Sequence, residues 1–146
     1  MYKRQLVEGA ATALSAPLLD SETLDAAEAV NERMTQMLGH LDAHAFTELN
    51  RQFHSLLFEP CPNPHLLDLV HRGWARLSGI RDSTFAYVPG RAQHSVEEHT
   101  QILELIRAGA DPLEIELAAR NHRLRTRDAF LDALHARSHH NSGDES

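Results

Sequence analysis

The sequence predicts an all-α protein, an antiparallel bundle of about six helices. Apolar residues recur at three-and-four spacing along nearly the whole chain, and no segment has a convincing strand period. Prolines, glycines and capping residues also cut the chain into six helix-length pieces. At 146 residues it is the usual size of one domain with a real core. The expected division is a helical domain over residues 2–137 and a disordered polar tail over residues 138–146.

From Tyr2 to about Ser15, the residues Arg4, Val7, Ala11 and Leu14 share one helical face, and Pro17 ends the segment. Asp20 and Ser21 are good N-caps for a second helix, which carries Leu24, Ala27, Met34 and Leu38 and closes at Gly39. Asp42 caps a third, whose stripe is Phe46, Leu49, Phe53, Leu56 and Leu57, and Pro60 and Pro62 follow it. Asn63 and Pro64 read as cap and first helical position of a fourth, with Leu67, Val70, Trp74 and Leu77 inward, running toward Arg81. Tyr87 to Arg91, with Pro89 and Gly90, reads as a loop, after which Ser95 and Glu98 have capping-box spacing. The fifth helix then places His99, Ile102, Leu103 and Ile106 on one face. Asp111 and Pro112 open a sixth, with Ile115, Ala118, His122 and Ala129 inward, running to about Ala136.

Composition narrows the function. A formal net charge of −7 without a basic stripe gives this chain nothing with which to neutralise a run of phosphates, so direct nucleic-acid contact is not expected. No apolar run approaches the roughly 20 residues that span a bilayer, and the N-terminus lacks a secretory h-region. The expectation is a cytoplasmic protein without membrane contact. The single cysteine, Cys61, makes no internal disulfide and is a poor candidate nucleophile.

The 11 histidines are the anomaly. Asn50 and His54, four apart, stack on one face of the third helix, while His99 and His122 lie on the inner stripes of the fifth and sixth. A divalent cation would satisfy several such imidazoles at once. A lone inward histidine is more often a hydrogen-bonded core residue, and helical spacing alone leaves the two readings balanced. Trp74 is core or pocket wall, and His139 and His140 belong to the tail.

Several stretches resemble the FCD effector-binding domain, which follows the winged helix in FadR-type members of the GntR transcription regulators. They are Arg4 with Leu6, Val7, Glu8 and the alanines after it; Asn50-Arg-Gln-Phe53-His54; Asn63-Pro-His-Leu66; Glu98-His99-Thr-Gln-Ile102; Asp111; and Ala118-Ala119-Arg-Asn-His122. The resemblance implies a helical bundle whose cavity holds a divalent metal on Asn50, His54, His99 and His122, together with a small organic acid. Many members of that family have aspartate where this chain has Asn50, a weaker and uncharged donor. Zinc or nickel suits three histidines best, with manganese and iron as further candidates. Arg4 and Arg81 are candidates to pair with the effector carboxylate, although Arg4 could instead pair with Glu8, and either could reach solvent.

The expected function is metal-dependent sensing of a small carboxylate by a regulator's effector domain, acting as a homodimer. DNA would be reached only through a winged helix that this sequence lacks. The competing expectation is a free-standing metalloenzyme acting on a small organic acid, with Glu98, His71 or His94 as its acid or base. A third is a structural dimerisation module with an empty pocket.

Overall fold

The computed structural model describes residues 2–141, with the side chains of 2–6, 77–84, 87, 89 and 137–141 outside the description. Among the described residues there are six α-helices and no strand. They are α1 Tyr2–Ser15, α2 Ser21–Gln36, α3 Ala43–Phe58, α4 Pro64–Tyr87, α5 Pro89–Arg107 and α6 Pro112–Asn141. Short 3-10 turns follow α1 and α2.

Local chemistry sets most of the boundaries. Asp20 accepts from the Thr23 N–H at 2.8 Å, and Asp42 from the Ala45 N–H at 3.1 Å, each capping its helix. Asn63 accepts from the His65 and Leu66 N–H groups, and Asp111 from that of Leu113, so both cap-then-proline starts form as expected. Gly109, at φ 67°, supplies the left-handed residue that ends α5.

Two expectations fail at the junction of α4 and α5. The loop expected over Tyr87 to Arg91 is one residue, Val88, because Pro89 is the first residue of α5, where its fixed φ starts a helix and its missing N–H costs nothing. Ser95 and Glu98 therefore lie inside α5 and form no capping box; Ser95 is fully buried and Glu98 is engaged elsewhere. The helix begins early because Ala92 and Val96 join Met34, Phe46, Leu49 and Phe85 in one apolar cluster. The inner face of α1 is also rotated from the expected one. Leu14 is 47% exposed, whereas Glu8, Ala11, Thr12 and Ser15 are buried. At the other end of the chain, α6 continues to Asn141, past the expected Ala136.

The helices pack as two linked layers, α1 against α6 and α4, and α2 against α3 and α5, with α5 meeting α6 and α3 meeting α4. Gly9 marks the closest approach, since a Cβ there would lie 2.9 Å from the Glu116 carbonyl oxygen. The central cluster is built on Phe53, Leu57, Ile102, Leu103 and Ile115, and truncating a fully buried Phe53 to alanine would cost about 3–5 kcal/mol. His54, His99 and His122 are all buried, on three different helices.

Candidate metal centre

Helical spacing carries His54, His99 and His122 inward from α3, α5 and α6. Their Nε2 atoms form an equilateral triangle, each 3.2 Å from the other two. Phe53 stacks on the His99 ring at 4.0 Å and Trp74 lies 5.3 Å from the His54 ring, so packing restrains the imidazoles from behind.

The far side of each ring decides its tautomer. The Asn31 amide N–H donates to the Val96 carbonyl at 3.1 Å, which turns its Oδ1 toward His99 Nδ1 at 3.0 Å. Because Oδ1 only accepts, the His99 proton sits on Nδ1 and its Nε2 carries a lone pair. His122 Nδ1 lies 2.7 Å from Glu98 Oε1, so the same holds there. Arg91 Nη2 is 3.3 Å from that nitrogen, but two donors make no bond, and this arginine donates to the Glu98 carboxylate instead. His54 is held less firmly, with Nδ1 3.9 Å from Glu8 Oε1.

With His122 in its neutral form, two bare nitrogens, those of His99 and His122, face each other at 3.2 Å. A proton on His54 Nε2 could serve one of its neighbours at a time and would leave the His99–His122 edge unrelieved. Protonating His54 or His99 is disfavoured, because burial first and the neighbouring imidazoles second hold both well below the ordinary histidine value of 6.5. A shared cation does relieve the edge. For metal–nitrogen bonds of about 2.0–2.1 Å, adjacent ligands are about 2.9 Å apart on an octahedron and about 3.4 Å apart on a tetrahedron, and the observed spacing falls between. Asn50, one turn before His54, is 3% exposed, and its Oδ1 has no hydrogen-bond partner among the described residues. An orphaned buried acceptor one helical turn from His54 fits a fourth donor.

Around the triad lies a second ring of charge. Glu98 Oε1 accepts from His122 and Arg91, and Oε2 accepts from Arg125 Nη1 at 2.8 Å. Burial pushes the Glu98 carboxyl up, but the hydrogen bonds from His122 and Arg91, with help from Arg125, outweigh it and hold the group at about 2. Glu8 Oε1 accepts from Trp74 Nε1 at 2.6 Å, while Oε2 is ion-paired with Arg123 Nε at 2.7 Å without hydrogen-bond alignment. The Arg123 guanidinium also sits over the Trp74 ring, 4.6 Å from its centroid.

Of the residues expected at the site, the three histidines come together, and Asn50 is buried on the same helix as His54. Arg4 and Arg81 lie outside the described side chains. His71 and His94 are on the surface, pairing with Glu59 and Glu97. Sequence reasoning missed Glu8, Asn31 and Arg91 as parts of the site and read Glu98 as a cap or as an acid or base near the metal, not as the partner that orients His122. The available signal was polar residues at core positions, Asn31 being spaced with Ala27 and Met34 on the buried face of α2.

Fold and site together define an all-α bundle enclosing a three-histidine centre able to hold a metal ion. The family model described as the FCD domain matches residues 3–126, and the chain belongs to that family. No curated protein matches the chain. Among the described residues no helix is long and apolar enough to cross a membrane.

Proposed function

We propose that this chain is the metal-dependent effector-sensing domain of a GntR/FadR-type regulator, with the ion held by His54, His99, His122 and Asn50 and a small organic acid as effector. The observation behind this reading is the buried triangle of His54, His99 and His122 Nε2 atoms, each 3.2 Å from the other two, with the unpartnered Asn50 Oδ1 one helical turn from His54. When bound, the ion supplies a Lewis-acidic centre that attracts a carboxylate. Three imidazoles and an amide oxygen suit zinc or nickel ahead of manganese or iron. Glu98 and Asn31 hold two rings in the ligating tautomer, and Arg4 and Arg81 are the proposed carboxylate partners. The domain works as a cytoplasmic homodimer in which the effector biases the packing of the bundle, and DNA is contacted only through a winged-helix partner domain.

The metalloenzyme alternative is the less favoured reading. Glu98 is already engaged by three donors, and His71 and His94, 48% and 70% exposed, pair with Glu59 and Glu97 at the surface. The test is elemental analysis of tag-free protein beside a His54→Ala, His122→Ala double variant. The expected result is about one ion per chain in the wild type and almost none in the variant. A wild type that takes up no zinc, nickel or manganese would sink the reading. Carboxylates screened on the loaded protein should raise its melting temperature without being consumed, whereas turnover would favour the enzyme.

A further inference from the structure

We infer that Arg123 is a positioning residue of the centre: it holds the Glu8 carboxylate off His54 and so keeps the affinity for the ion below what three oriented imidazoles would give. The inference rests on the proposed metal centre and deepens it. Glu8, on α1, stands among three donors from three other helices. Its Oε1 accepts from Trp74 Nε1 of α4 at 2.6 Å and lies 3.9 Å from His54 Nδ1 of α3, while Oε2 is 2.7 Å from Arg123 Nε of α6. The helices meet here because Gly9, the next residue, lets α1 close on Glu116 and Arg120 of α6. All four side chains are at most 8% exposed, so water is a poor substitute for whichever partner goes without.

Arg123 keeps this carboxylate by charge and not by fit. Neither Glu8 Oε2 nor Arg123 Nε makes a hydrogen bond, although the two form an ion pair at 2.7 Å. Besides Glu8, the guanidinium has among the described residues only the Trp74 ring, 4.6 Å away, so a buried cation depends on this one carboxylate. His54 is left as the one ring of the three whose Nδ1 partner stands beyond hydrogen-bond distance. With the charge of Arg123 removed, Glu8 Oε1 is released to close the gap of about 1 Å that separates it from a charge-assisted hydrogen bond to His54. A carboxylate on the far nitrogen fixes the ring and makes the near nitrogen a stronger donor to an ion, an effect worth about 10-fold or more in affinity. Removing a buried side chain here thus tightens the centre, the opposite of what lost packing would do.

The experiment is a double-mutant cycle on the full chain, with zinc affinity read by chelator competition. Arg123→Gln should bind zinc about 10-fold more tightly than the wild type. In a Glu8→Gln background, which has no carboxylate to release, the same substitution should change zinc affinity by less than about 3-fold. A plain repulsion between Arg123 and the ion would instead give equal gains in both backgrounds, and that result, or an affinity in Arg123→Gln that is unchanged or weaker, would overturn the inference. Nitrogen-edited proton spectra of the zinc form give a second readout: Arg123→Gln should add a protected imidazole Nδ1–H signal from His54 that the wild type lacks, and its absence counts against the inference equally. Should Arg123→Gln fail to fold, Trp74→Phe carries the test, because it removes the N–H that occupies Glu8 Oε1 and keeps an aromatic ring beside His54. Zinc tighter by about 3-fold in that variant supports the inference, and zinc unchanged or weaker overturns it. A wild type that takes up no zinc sinks the metal reading itself, so the two failures are told apart by the wild-type measurement.

Discussion

His99 and His122 are held differently from His54. The first two are fastened through Nδ1 to Asn31 at 3.0 Å and Glu98 at 2.7 Å, while His54 Nδ1 stands 3.9 Å from a Glu8 whose oxygens already serve Trp74 and Arg123. The α5–α6 side of the centre is thus oriented by hydrogen bonds, and the α3 side by packing against Trp74. Bonded rings present their lone pairs in one direction before any ion arrives, which lowers the cost of binding. A packed ring keeps a choice of tautomer.

Three predictions would break or sharpen this contrast. Glu98→Gln should weaken zinc by about 10–100-fold in chelator competition, because the outer partners of a ligating histidine carry that much affinity. Glu8→Gln should weaken it by less than about 3-fold, since it makes no hydrogen bond to His54. Each variant leaves a buried arginine without its carboxylate, so both should lose about 3 kcal/mol in urea unfolding. Equal loss of zinc in the two would erase the difference between the sides.

The pH dependence of the metal-free chain is a separate effect. The folded-state values of His54 and His99 are depressed, so below 6.5 the unfolded chain binds protons that the folded one refuses. Stability should fall as pH drops through that value, by up to about 1.4 kcal/mol per pH unit for each ring. Glu98, at about 2 when folded against an ordinary 4.5, adds a second loss confined to the interval between those values. Urea midpoints flat from pH 7 to 5 would show that the imidazoles are not buried in neutral form. Smallest is Gly9→Ala, expected to destabilise by about 1–2 kcal/mol, because a Cβ would press on a backbone oxygen that cannot turn aside. Its zinc affinity should match the wild type, since the nearest atoms that a Cβ at Gly9 would meet belong to Glu116 and Arg120 and not to a ligating residue.

What could be read in the sequence was what depends on neighbours along the chain. The caps at Asp20, Asp42, Asn63 and Asp111 act on N–H groups two or three residues away, and the inward placement of the three histidines follows from helical spacing. Pro89 was ambiguous because proline ends one helix and begins another with equal ease, and only the packing of Ala92 and Val96 decides which. The outer ring was harder still, since His99 meets Asn31 across 68 residues of sequence and Trp74 meets Glu8 across 66. A periodic pattern shows which way a side chain faces, but it does not show which polar group waits there.

With Val88 alone between them, α4 and α5 share a joint that holds no slack. A longer connection would let α5 glide along its axis while α4 stayed in place. Here any pull on His99 along that axis arrives at Tyr87 almost undiminished, and relief has to come from a change of angle at the corner. A shift of α5 relative to α4 is therefore expected to take the form of a swing about one residue, limited by the packing of α5 on α2 and α6.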